Sequence, residues 1–319
     1  MSRPVVASAP PPVTVRAAPG RRRPTTLSKR RQYTAAYLLI TPFFLFFIAM
    51  LIVPLGFAGY LSLFQSRLIG GVTFVGLDNY AKALVDPNFQ AGLLRVMAFL
   101  VVQVPVMLGF ALFFALALDS GRVRGGRALR LLIFVPYAIP GVVATLMWGY
   151  LYGPDFGPIA QISRAIGLGA PNLLSQGSVL GSIMNIVTWE YIGYNMIVMY
   201  SALRSVPSEL YEAAEIDGAG EIRIAWSIKM PAIRPAILLT VIFSTIGSFQ
   251  LFNEPSLLRN IAPDAIGSSF TPNYYAYNLA FVNQDLNYAA AIAFALGLVT
   301  MVVSYVVQLS TRARGRAIA

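Results

Sequence analysis

The sequence predicts an all-α integral membrane protein. It has six transmembrane helices, both termini on the cytoplasmic side, and a polar helix-turn-helix elbow between the fourth and fifth spans. Three observations predict this. Of 319 residues, 57% are hydrophobic and only 12% are charged, against about a quarter charged in an ordinary soluble domain. The apolar residues gather in blocks of twenty or more, each long enough to cross a roughly 30 Å hydrocarbon core as a helix. Lysine and arginine concentrate in alternate loops, the bias that orients membrane proteins.

Residues 1–33 are rich in Pro, Arg, Ala and Val and lack periodicity, so they are expected to form a disordered basic tail. The apolar run that follows is far longer than the roughly 7–15 residues of a secretory signal, and is expected to stay as a membrane anchor. The transmembrane domain is expected over 34–311, with a short basic tail at 312–319. The first span, about 34–64, contains Pro42 and Pro54, and a kink or tilt is expected there. The others are placed at about 93–118, 129–152, 178–203, 234–256 and 287–310, and the elbow occupies 204–233.

Orientation follows from the basic residues. With the N-terminus inside, the cytoplasm holds the N-terminal tail, Arg122, Arg124, Arg127, Arg130, Arg204, Arg223, Lys229, Arg234 and the three C-terminal arginines. That is nineteen of the 24 basic residues. Six spans, an even number, agree with both ends on one side. The net charge of +11 therefore reflects topology. It favours contact with anionic membrane lipid and gives no reason to expect nucleic acid binding.

Composition also excludes chemistry. Cysteine and histidine are both absent, which removes disulfides, Cys/His metal sites and Cys or His catalysis. No GxxxxGK[ST] occurs, so the chain has no phosphate loop of its own.

The stretch SVPSELYEAAEIDGAG reads as a short capped helix. Pro207 suits a first turn. Glu209 and Glu212 lie near the positive helix end, where carboxylates are favoured. Gly218 follows Asp217 and suits a stop that needs a left-handed residue. A second amphipathic helix carries Ile222, Ala225 and Trp226 and is expected to end at Pro231. The plain alternative is a solvated connector, since amphipathic interfacial helices are common. Two capped helices exceed what a connector needs.

Glu212-Ala213-Ala214, then Asp217-Gly218, then Ile228-Lys229-Met230-Pro231 resembles the EAA loop of binding-protein-dependent ABC importer permeases. Met230 stands where that family usually has leucine. VGLDNYAKALVDPNF (75–89), RALRLLIFVPYAIP (127–140) and VPSELYEAAEIDGA (206–219) are similar to segments of its carbohydrate-uptake, maltose-permease-like branch. The resemblance covers nearly the whole chain apart from the basic tail. It implies that the elbow is a coupling helix docked on a cytoplasmic ATPase dimer. Glu212 would pair with a basic group there, Gly218 would make the turn, and Ala213 and Ala214 would permit close approach. It further implies a second, homologous permease subunit, a sugar-binding protein outside, and residence in a bacterial cell membrane. ATP and Mg would be used by the ATPase, with no cofactor on this chain.

Polar groups inside spans are functional candidates. Glu190 lies mid-span, with Trp189 adjacent and Tyr194 four residues on, on the same helical face. Asn195 pairs similarly with Tyr191. Gln250, Asn253 and Glu254 cluster in the outer half of span five. Aromatic rings beside hydrogen-bonding groups suit a sugar. The same residues would also serve as helix-to-helix hydrogen bonds. The outer SSFTPNYYAYNLAF segment fits interfacial anchoring.

The reading is thus a permease subunit of an ABC importer moving a di- or oligosaccharide inward by alternating access. A permease of the same kind for a non-sugar solute is the strongest alternative. A stand-alone secondary transporter would show internal repeats and charged relays within its spans, and neither is evident. A membrane enzyme would need a catalytic cluster at the membrane face, and the acidic cluster sits instead in the elbow.

Overall fold

The computed structural model describes residues 26–67 and 70–316. The first 25 residues of the expected tail lie outside them. The chain divides into two units, residues 1–56 and 57–319.

In the first unit, helix α1 (Thr26–Phe47) starts before residue 34. The last residues of the expected tail are therefore helical. Pro24 is the final proline before them, and Leu, Ser, Lys, Arg and Gln continue a helix readily. A π turn at Ile48–Ile52 follows, in which the Val53 N–H bonds Ile48 O. This wide turn precedes Pro54, which can donate no helical bond, so the disturbance anticipated from the prolines takes the form of a π bulge. Helix α2 (Val53–Ser62) completes a 30-residue apolar span from Tyr33 to Ser62.

The all-α expectation needs one correction. Strands β1 (Phe64–Arg67) and β2 (Gly71–Phe74) pair antiparallel, with Phe64 opposite Phe74. Gly70 and Gly71 both adopt positive φ, a conformation glycine reaches without steric cost, which allows the tight reversal. Helix α3 (Asp78–Val85) follows.

Helix α4 (Pro87–Asp119) begins six residues earlier than the second span was placed. The side chain of Asp86 accepts from Asn88 N at 2.8 Å and Pro87 opens the first turn, a strong start signal. Asp86 Oδ2 also accepts from the Tyr275 hydroxyl at 2.8 Å and the Tyr288 hydroxyl at 2.7 Å. One carboxylate thus joins the start of α4 to α14 (Pro272–Tyr277) and to the start of α15 (Leu286–Arg316).

The third span is two helices. α5 (Gly126–Ala138) and α6 (Gly141–Leu151) meet at 97°. Ile139 leaves the helix because it precedes Pro140, and the pre-proline position disfavours α geometry. Helix α7 (Pro158–Ala165) lies in the next loop.

Helix α8 (Val179–Leu203) packs against α4, α5 and α12. At Gly193 an added Cβ would lie 2.1 Å from Ile133 O, so glycine lets α8 approach the α5 backbone. Among the described residues, four helices are long and apolar enough to cross a membrane, and the bent pair makes up to five. α8 has spanning length, but Asn185, Glu190 and Asn195 dilute its apolar character.

The elbow consists of α9 (Glu209–Ile216), α10 (Glu221–Ile224), a π turn at Ala225–Lys229 and α11 (Met230–Ala232). Pro231 lies inside this path and does not end it. The ladder breaks at Ile233, ahead of α12 (Arg234–Phe249). The wide turn explains this: the Met230 N–H reaches back to Ala225 O, and a proline next in line meets a ladder already shifted from α register. The fifth span breaks at Gln250–Phe252 and resumes as α13 (Asn253–Leu258). α15 runs to Arg316, into the expected C-terminal tail.

The buried core of the second unit has two centres. One gathers Val96, Met107, Ala111, Met196, Met199, Phe249 and Ile292 from α4, α8, α12 and α15. The other gathers Phe99, Ile183, Ile186, Leu258 and Ile266.

Candidate functional site

Helices α4, α8 and α12, with the break before α13, line a part-open cavity of about 420 Å³. Tyr194, Asn195, Gln250, Asn253 and Glu254 line it, so five of the seven candidate pathway residues share one space. The two segments that supply them are ordered differently. Tyr194 and Asn195 project from a regular helix. Gln250, Asn253 and Glu254 flank a break, which frees backbone polar groups beside the cavity as well.

The polar groups here are held in place. Asn195 is buried and its Nδ2 donates to Tyr191 O at 3.0 Å. The backbone carbonyl of Gln250 accepts from Asn273 Nδ2 at 3.2 Å. Tyr194 stacks on Tyr137 with centroids 4.9 Å apart. Tyr191 meets the same ring edge-on at 5.8 Å. The wall therefore sets tyrosine rings beside amide and carboxyl groups, a lining that fits a hydroxylated, partly apolar solute.

Trp189 and Glu190 lie elsewhere. Trp189 packs edge-on against Trp148 at 5.6 Å. Glu190 is buried, with Oε1 pressed against Gly141, where an added Cβ would lie 3.2 Å away. Gly141 opens α6. The Glu190 carboxyl thus faces the positive end of a helix, at the 97° bend. Its Oε2 meets no hydrogen-bond partner among the described residues.

Three lining residues from α4 were not anticipated: Phe99, Gln103 and Met107. Gln103 carried a readable signal, since it is an amide in a long apolar span with Pro105 two residues on. Phe99 and Met107 carried none, because α4 is apolar on every side and its rotation is set by its neighbours. Phe243, Ser244 and Gly247 of α12 complete the wall.

The elbow is the second candidate site. α9 ends in a Schellman motif. Ala219 N bonds Ala214 O at 2.9 Å, Gly218 N bonds Glu215 O at 3.0 Å, and Gly218 has φ +79°. Glu209 and Glu212 lie in the first turn. Glu212, Ala213, Asp217 and Gly218 are exposed and Ala214 is half-buried. Leu210, Ile216, Ile222 and Trp226 also face outward, Ile216 at 86% exposure. An open cleft beside α10 is lined by Arg122, Glu221, Arg223 and Trp226. The elbow is thus an exposed surface with an acidic first turn and uncovered apolar groups, of the kind that marks a protein contact.

A bundle of apolar helices around a cavity that carries a few polar groups in a largely apolar wall is the build of a membrane permease. The chain belongs to the family described as "Binding-protein-dependent transport system inner membrane component", whose model matches residues 93–318. It is 31% identical over 296 residues to the diacetylchitobiose uptake system permease protein NgcF of Streptomyces coelicolor, covering 85% of this chain and 83% of that one. It is 30% identical over 220 residues to the sn-glycerol-3-phosphate transport system permease protein UgpA of Brucella abortus, covering 69% and 74%. Its fold matches a chain in the crystal structure of a bacterial alginate ABC transporter in complex with an alginate pentasaccharide-bound periplasmic protein. The TM-score is 0.76 at 19% identity, covering 92% of this chain and 98% of the other. The chain is accordingly an inner-membrane transport component.

Proposed function

We propose that this chain is one membrane-spanning subunit of an ATP-driven importer that carries a di- or oligosaccharide into the cell by alternating access. The observation that carries the reading is the cavity between α4, α8 and α12, where Tyr194 stands beside Asn195, Gln250 and Glu254. Rings offer apolar faces to a sugar, and amides and carboxyls meet its hydroxyls. The diacetylchitobiose and alginate relatives support the carbohydrate class. The sn-glycerol-3-phosphate relative keeps a phosphorylated polyol as the second reading. The cavity favours the sugar, because it is lined by Glu254 and, among its described lining residues, by no lysine or arginine to receive a phosphate.

Within the full assembly this chain would hold six spans with both ends cytoplasmic. The assembly would add a second permease, a solute-binding protein outside, and an ATPase dimer that hydrolyses ATP with Mg. In this scheme the elbow docks on the ATPase: Glu212 meets a basic group, Ala213 and Ala214 allow close approach, and Asp217, Gly218 and Pro231 shape the joint. The chain itself binds no cofactor.

The test is co-purification in mild detergent with the chain's natural partners, comparing wild type with Glu212→Ala plus Gly218→Pro. The ATPase should accompany wild type and be lost from the variant. Uptake of diacetylchitobiose, alginate oligosaccharide and sn-glycerol-3-phosphate into vesicles then assigns the solute class. A chain that runs alone, with transport untouched by the elbow variant, overturns the importer reading.

A further inference from the structure

We propose that the buried ion pair between Lys229 and Asp119 is the strut that ties the elbow to α4, so that displacement of the elbow moves a wall of the cavity. The inference rests on the importer reading above and adds the residues that would carry motion within this chain. Lys229 Nζ lies 2.5 Å from Asp119 Oδ2, with the side chains 12% and 3% exposed. Lys229 ends the π turn of the elbow, and Asp119 is the last residue of α4. The same ammonium sits 4.6 Å over the ring of Tyr211, which belongs to α9. One cation of the π turn therefore touches two other elements, the first elbow helix and α4.

The geometry gives the contact leverage. Phe99, Gln103 and Met107 of α4 line the cavity. Met107 and Asp119 are twelve residues apart on one helix, about 18 Å. A continuous helix carries displacement over that distance as a rod. The second link between elbow and helix end, Arg122 to Glu221 at 2.5 Å, is exposed on both sides. Such pairs hold little against solvent and salt. The buried pair differs in kind. Its desolvation makes it a poor source of stability, but losing either partner strands a buried charge. It thus fixes one arrangement of elbow against helix, and the wide π turn supplies the local irregularity often found at working positions.

The experiment uses the whole complex in proteoliposomes. The chain has no cysteine, so Gln103→Cys gives a single thiol in the cavity, on α4. Its alkylation by N-ethylmaleimide is timed with and without ATP. With the pair intact, ATP should change the alkylation rate at least about fivefold, the lower range of allosteric coupling. Lys229→Met should reduce that response below about twofold while the ATPase still co-purifies and hydrolyses ATP. The exchanged pair, Lys229→Asp with Asp119→Lys, keeps a buried ion pair and should restore it. It also serves if Lys229→Met fails to assemble. A full response in Lys229→Met overturns the strut, as does a lost response in the exchanged pair with ATPase still bound. If the chain with the native pair binds no ATPase, the importer reading itself falls.

Discussion

Gly218 and Asp86 are the single residues whose roles follow most directly from geometry. At Gly218, φ is +79° and an added Cβ would meet nothing within 4 Å. The cost of a side chain there is conformational, with no clash. Gly218→Ala should cost roughly 1–2 kcal/mol. That is about a 5–30-fold rise in local opening, readable as faster amide exchange over residues 213–219. Gly220→Ala, at φ −71°, should leave exchange unchanged. Asp86 lies outside the membrane-spanning segments. Burial pushes its carboxyl up, but bonds from Tyr288, Tyr275 and the amides of Asn88 and Phe89 outweigh that and leave it below its ordinary 3.8. The sign follows. A carboxyl that is more acidic in the folded chain stabilises fully above its unfolded value, and loses that contribution as pH falls through the folded one. Asp86→Asn should therefore lower the thermal midpoint at pH 6 by several degrees, from about 1–3 kcal/mol. The difference should shrink only as pH drops below the ordinary carboxylate range. A constant gap from pH 6 to pH 3 would remove the charge from the argument. Burial and the bond to Asp86 also push the Tyr275 hydroxyl up, to about 12, so it stays a donor throughout.

Among elements, α5 and α8 approach closely where Gly193 faces Ile133 O. Gly193→Ala must separate two backbones, so it should cost about 1–3 kcal/mol or more. Gly181, on the same helix with open space around it, serves as control. There alanine should be neutral or add about 0.5–1 kcal/mol. Thermal unfolding in detergent reads both. Legibility in the sequence divides along the same line between local and distant causes. The end of α9 was readable because a Schellman stop needs only Gly218. The early start of α4 was equally readable from Asp86-Pro87, and the hairpin from Gly70-Gly71, although all-helical reasoning passed over both. The 97° bend announced itself only in part. Pro136 and Pro140 signal a break, whereas its angle depends on the contact of α6 with α13 and on Gly149, whose missing Cβ leaves room for Ile261. The cavity divides the same way. Tyr194, Asn195 and Glu254 stood out as polar or aromatic groups in apolar helices. Phe99 and Met107 did not, because a helix apolar on all sides does not reveal which face it turns inward. Glu190 stood out as strongly as any residue, and its carboxyl turned to the start of α6.

For the whole molecule, charge and contacts both bear on which side of the membrane each end of the bundle faces. The charge distribution argues for cytoplasmic termini and a cytoplasmic elbow, since nineteen of 24 basic residues then obey the positive-inside rule. The architecture adds an independent argument. The elbow is where α8 hands over to α12, and the helix-linking segment after α4, with Arg122, Arg124 and Arg127, adjoins it through Asp119–Lys229 and Arg122–Glu221. Both segments must therefore share one side. At the opposite end of α4, Asp86 joins the segment before that helix to Tyr275 and Tyr288, so the loops near 86 and 275 share the other side. Two clusters at the two ends of one 33-residue helix make the topology an all-or-none proposition. The chain contains no cysteine, so a single engineered thiol is its one labelling site, read on the purified chain. Ser208→Cys, exposed beside α9, should react with a membrane-impermeant maleimide in inside-out vesicles and stay unlabelled in intact cells. Ser268→Cys, exposed ahead of α14, should show the reverse. Labelling of both from one side would contradict the contact pattern. A clean exchange of the two results would keep the architecture and invert the protein, and the elbow would then face away from any ATPase in the cytoplasm.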